Sequence, residues 1–197
     1  MTLRYDTRSR VSTYTHSWVS GIEPDFGAFE SIATTLVGSA VSSVTFSSIP
    51  QTYKHLQIRI LGRTTRVSND ATISIQLNSD TGSNWSNHNM FGDGSATSSG
   101  GGGSRAYDFT GVCLGVGSSA AANIFGVGVT DIFDYANTDK YKTIRTLTGS
   151  DRNGSGNVSV QSANWRNNNA ITSIGFFDSS GANIATNTHI ALYGIKA

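Results

Sequence analysis

Thirteen acidic side chains and four histidines are the raw material for catalysis or metal binding in this chain. His16, His55, His88 and His189 are scattered, with no pair at i, i+4, so the usual spacing of a zinc site is missing. The Gly-x-Ser-x-Gly turn that exposes a hydrolase nucleophile does not occur. Nor does a phosphate-binding Gly-x-x-x-x-Gly-Lys-Ser/Thr loop, and Gly126-Val127-Gly128 sits inside strand text with no helix after it. The two carboxylates of a glycosidase meet only in the fold, and spacing alone cannot identify them. Glu23 and Glu30 lie in or next to the N-terminal segment, which leaves Asp131 and Asp134 as the candidate acids. Turn and strand-end hydrogen bonding suits those two better. No catalytic residue, cofactor site or metal site is assigned, and the chain is expected not to be an enzyme.

Two further constellations bear on binding. Asp151-x-Asn153-x-Ser155-x-Asn157 sets side-chain oxygens at alternate positions, like the first half of a calcium loop. Such loops close with a bidentate Glu at the twelfth position, which is Ser162 here. A Gly-rich β-turn with Asx hydrogen bonds is the reading preferred, with Arg152 as a surface contact. Trp85 and Trp165 have the rings to stack a sugar, but aromatic residues more often fill a sandwich core, and that role is expected.

The elements that would position these residues are short strands. Only 14% of the 197 residues are charged, against about 25% in an average domain. Gly, Ser, Thr and Asn take the place of the Lys and Glu on which helices depend. Leu56-Gln57-Ile58-Arg59-Ile60 and Ile73-Ser74-Ile75-Gln76-Leu77 alternate strictly, one face buried and one wet. Other runs begin at Phe29, Val41, Asn123, Tyr141, Val158, Ile171 and His189. Gly126 and Gly128 mark a long strand that another backbone approaches closely. About ten strands with turn signals between them predict an antiparallel β-sandwich, jelly-roll-like, as a single domain over 29–197. The middle of the chain reads as a Gly-rich exposed loop near 92–105, from the run Ser98 to Ser104. Cys113, the single cysteine, falls in an apolar run and is expected to be a buried, inert thiol.

Residues 1–28 form a different text, an extended N-terminal arm. It carries Arg4, Arg8 and Arg10 with Tyr5, Tyr14 and Trp18 and sustains no period. Aromatic residues are scarce in segments that never dock, so these six are expected to contact a neighbouring subunit or another protein surface. Loop residues Asp93, Arg105, Asp151, Arg152 and Asn153 are the candidate receptor contacts. A net charge of +1 leaves no electrostatic footprint for nucleic acid. No run approaches the roughly 20 apolar residues that span a bilayer. Met1 to Asp6 lacks the apolar core of a secretion signal, so synthesis in the cytoplasm without export is expected.

Several stretches together resemble a known family. They are Phe29 to Thr34, Phe46 to Arg59, Leu77 to Asn84, Asp134 to Thr143 and Ala191 to Lys196. As a set they are similar to virion structural proteins of tailed phages, of the kind found in cyanophages and other marine or freshwater phages. The resemblance spans about 29–197 and leaves out the arm. It implies a structural component of the virion, in one of two places. A head decoration (cement) protein would bind the major capsid protein or another virion protein, commonly as a homotrimer. A tail-fibre or tail-appendage module would present its loops to a host glycan. The short chain, without shaft repeats, and the Arg- and aromatic-rich arm favour decoration. A secreted carbohydrate-binding module fits less well.

Overall fold

A strand sends successive side chains to opposite faces, so the alternation at 55–60 dictates two different surroundings. The computed structural model, which describes residues 28–107 and 111–196, buries Leu56, Ile58 and Ile60 and turns His55, Gln57 and Arg59 the other way. Twelve strands form among the described residues. They are β1 (Phe29–Leu36), β2 (Ser43–Phe46), β3 (His55–Gly62), β4 (Asp70–Leu77), β5 (Trp85–Gly92) and β6 (Thr97–Arg105). After these come β7 (Cys113–Val116), β8 (Gly126–Phe133), β9 (Lys142–Asp151), β10 (Gly156–Trp165), β11 (Ile174–Asp178) and β12 (His189–Ile195).

Eight strands make one sheet, in the order β1-β12-β3-β8-β9-β10-β5-β6, and four make a second, β2-β11-β4-β7. Every ladder between these strands is antiparallel. The fold is therefore the antiparallel β-sandwich expected from the sequence. A division of eight and four does not by itself establish jelly-roll connectivity.

The core lies where the small sheet covers the large one. Ile73, Ile75 and Leu77 of β4 and Ile174 and Phe176 of β11 are buried with Leu56, Ile58, Ile60, Ile190 and Leu192 of the large sheet. Phe46 meets Phe176 edge-on, with centroids 5.5 Å apart. Trp85 and Trp165 stand opposite each other on β5 and β10, and both are buried, as the core reading requires. The Trp165 indole donates to Asp80 Oδ2 at 2.8 Å, so the turn after β4 is tied to the large sheet. Cys113 is buried in β7, and desolvation pushes its thiol pKa up to about 12.

The Gly-rich stretch is a correction. Residues 97–105 are not a loop but the edge strand β6, paired with β5 from Gly92↔Thr97 to Trp85↔Arg105. An antiparallel ladder uses only backbone N–H and C=O groups, so a run of glycines can pair as well as any other. Side chains of neighbours also need the space: a Cβ on Gly101 would lie 2.6 Å from the His88 ring, and one on Gly102 would lie 2.7 Å from Arg105 Nε. The connection shrinks to residues 93–96.

Gly126 and Gly128 sit where β7 crosses β8, and a Cβ on either would overlap a backbone oxygen, of Leu114 and Val112 respectively. The close backbone approach read from the sequence is thus present. Gly128→Ala is expected to cost about 1–3 kcal/mol through overpacking against a rigid ladder. Gly38→Ala, which meets nothing within 4 Å, is the control and should leave the urea midpoint nearly unchanged.

Candidate functional site

Two tight turns meet at one end of the large sheet, because β10 pairs with both β9 and β5. The β5–β6 turn is organised by Asp93. Its Oδ1 accepts hydrogen bonds from the Ser95 amide at 2.9 Å, the Ser95 hydroxyl at 2.9 Å and the Ala96 amide at 2.8 Å. These bonds, that from Ala96 foremost, hold the Asp93 carboxyl below its ordinary pKa. In the β9–β10 turn, Asp151 Oδ1 accepts from the Asn153 amide at 2.8 Å. Asn153 and Gly154 then take left-handed backbone angles, φ 61° and 95°, which Asn and Gly tolerate best. Between the two turns runs a groove lined by Asp93, Gly94, Asp151, Gly154 and Ser155, with Phe125 and Val127 also in its lining.

Of the contact residues expected from the sequence, the structure brings Asp93, Asp151, Arg152 and Asn153 to this end. Arg105 is elsewhere: it faces Trp85, seven residues along β5 and about 23 Å from the turn at the rise of a strand. Arg152 is largely buried. Its Nη1 donates to Asp70 Oδ1 at 2.5 Å and to Ser150 Oγ at 3.2 Å, which ties the turn to the start of β4. Asn157 donates to the same Asp70 oxygen at 3.2 Å. The polar atoms of 151–157 thus organise turn and sheet, as the Asx reading expects. Among the described residues, no three His, Cys, Asp or Glu side chains cluster as metal ligands. Arg4, Tyr5, Arg8, Arg10, Tyr14 and Trp18 lie outside the described residues.

Asp131 and Asp134 each find cations. Asp131 accepts from Arg145 at 2.7 Å and from the Gln57 amide at 2.9 Å. Asp134 is paired with Lys140 and with Lys54, the latter at 2.9 Å, and its backbone amide donates to His55 Nδ1 at 3.0 Å. Lys140 first, then Lys54, hold the Asp134 carboxyl at about 2. A general acid needs the opposite shift. Asp80 has a similar structural task. Burial pushes its carboxyl up, but bonds from Asn84, the Gly82 amide and Trp165 outweigh that and leave it low.

Two features escaped the sequence reading. Lys142 is fully buried and pairs with no carboxylate among the described residues, and its ammonium donates to the carbonyls of Asn137 at 2.5 Å, Lys140 at 3.1 Å and Asn168 at 3.1 Å. Desolvation, then Lys140, lower its pKa. The second is an inverted alternation on β9 and β10. Thr146, Thr148, Ser159 and Gln161 point inward, while Leu147, Val158 and Val160 point out and are exposed. The alternation itself is plain in the text, but nothing local says which phase faces the core.

No protein-family model matches this sequence, and no curated protein matches it. The class is therefore defined by the geometry: an antiparallel β-sandwich with one turn-lined end and one apolar outer face.

The Asp134 pairs make a pH prediction. A carboxyl at about 2 when folded, against an ordinary 3.8, stabilises the fold wherever it is ionised in the unfolded chain. That contribution is complete above the ordinary value and is lost as pH falls through the folded one. The melting temperature should therefore drop more steeply between about pH 5 and 2 in the natural protein than in Asp134→Asn. Equal slopes would mean the ion pairs do not persist in solution.

Proposed function

We propose that this chain is a non-enzymatic structural protein of a bacteriophage particle, a decoration protein that binds the outer surface of the head and stabilises it. One observation carries the non-enzymatic part. Perturbed carboxylates usually gather at functional sites, yet Asp80, Asp93 and Asp134 are each perturbed by a bond that shapes a turn or an ion pair that spans two elements. Their chemistry is spent on the scaffold. The place on the virion rests on the resemblance carried by 29–197.

The arm supplies the attachment. It joins the sandwich at Ala28, whose carbonyl accepts from the Lys196 amide at 3.0 Å beside the edge strand β1. Twenty-seven residues precede that point, enough to reach about 90 Å if extended. Three arginines and three aromatics along it are the residue types that anchor interfaces. Partners are the major capsid protein or another virion protein, and further copies of this chain.

The groove between the 93–96 and 151–156 turns favours a second reading, a tail-appendage module that contacts a host glycan. Gold-labelled antibody on intact virions separates the two. Label over the head supports decoration, whereas label at the tail replaces it with the adsorption reading. Deletion of residues 1–28 should leave the melting temperature nearly unchanged and abolish binding to the particle. Binding that persists in the truncated protein would overturn the role given to the arm. The arginine contacts should also weaken as salt is raised.

A further inference from the structure

Register places the exposed apolar residues of the large sheet in two adjoining rows. Met90, Val160, Leu147 and Val129 stand side by side on β5, β10, β9 and β8. In the next row Val158, Gly149, Val127 and Leu61 follow one another on β10, β9, β8 and β3. Met90, Leu147, Val158, Val127, Leu61 and Val160 are each between 41% and 60% exposed. The field is five strands wide, or about 20 Å at about 4.8 Å per gap. Its area is on the order of 400 Å², in the range where the largest apolar patch of a protein is often functional.

We infer that this face is the surface through which two copies of the chain pack, sheet on sheet. Three observations select a second copy as the occupant. The face is a regular pleat of short aliphatic side chains, and the partner that fits a pleated apolar face is another such face about 10 Å away. This chain carries one, and a two-fold axis sets it against itself. The area is also of the right order. A stable interface takes about 800 Å² from each partner, of which the apolar field supplies about half. His88, Ser162, Arg145, Asp131 and Arg59 border it on the same face as a polar rim. Finally, the rim charge is largely neutralised internally by the Arg145–Asp131 pair at 2.7 Å, and a net charge of +1 puts little repulsion between copies.

This inference rests on the self-association contained in the proposed function and names its surface. A face packed on its own copy is two-fold, so the unit is a pair in place of the three-fold order expected from the sequence.

Light scattering coupled to size exclusion tests it on the full chain at micromolar concentration. The natural protein should have twice the chain mass. Leu147→Lys and Val160→Lys should each raise the dissociation constant at least 100-fold and give the single-chain mass. Both positions face outward, so circular dichroism should be unchanged; Val158→Asn is a milder second variant should either lysine variant misfold. Ser31→Lys, outward on β1 and away from the field, should still pair. An oligomer that survives all three face variants would overturn the inference and leave self-association standing. A single-chain mass for the natural protein would overturn both, with virion labelling still deciding the particle reading. Pairing that appears only after deletion of 1–28 would show that the arm covers the face, and would overturn the inference too.

Discussion

An eight-stranded sheet is wider than a four-stranded sheet can cover, and the places where the smaller one ends shape the rest of this molecule. At the β4 and β11 side the cover is complete, and the facing residues are Ile, Leu, Phe and Trp. At the β7 side the small sheet ends in a strand whose outer backbone groups approach β8, β9 and β10. Buried backbone N–H and C=O groups need partners. Thr148 supplies them: its hydroxyl accepts from the Leu114 amide at 2.6 Å and donates to the Val127 carbonyl at 2.7 Å. Gln161 donates to the Gly111 carbonyl at 3.2 Å. Glycines at 126 and 128 give the β7 backbone room to come that close.

This arrangement accounts for the inverted alternation. Because β9 and β10 must offer hydroxyl and amide groups to the edge of β7, their inward phase beside it carries Thr146, Thr148, Ser159 and Gln161, whereas Ile144, Ala163 and Trp165 continue the same phase into the core. The aliphatic phase then faces outward. A polar inner face and an apolar outer face are two consequences of one register, since a strand's side chains alternate strictly. Packing of the outer rows against another copy, as proposed, would recover hydrophobic stabilisation that a solitary sandwich leaves in water.

The charged residues fit the same picture of a stiff scaffold. Arg63 donates to the carbonyls of Ala120, Ala121 and Ile124 and staples the loop before β8. Arg152 holds the β9–β10 turn to Asp70 of β4, and Lys142 gathers three carbonyls from two loops. These three cations tie loops and turns to the sheets, in a chain in which only 14% of residues are charged.

Strands β3 and β4 were legible because strict alternation of large aliphatic and polar residues has only one solution when one face is covered, and β12 because it reads as a continuous apolar run. The turn residues Asp80, Asp151 and Asn153 were legible because the bonds that shape those turns are local. β5 and β6 were not. Trp85-Ser86-Asn87-His88-Asn89 and the glycines after it carry no hydrophobic period, and a ladder made of backbone alone leaves no trace in side-chain pattern. The fate of Arg105 and Arg152 was equally hidden, since their surroundings come from residues far along the chain. Local chemistry, then, determined the all-β class, the turns and most strand positions, because period and turn geometry act within a few residues. The tertiary structure alone decided which phase of β9 and β10 faces the core, because that choice depends on where a strand thirty residues away ends.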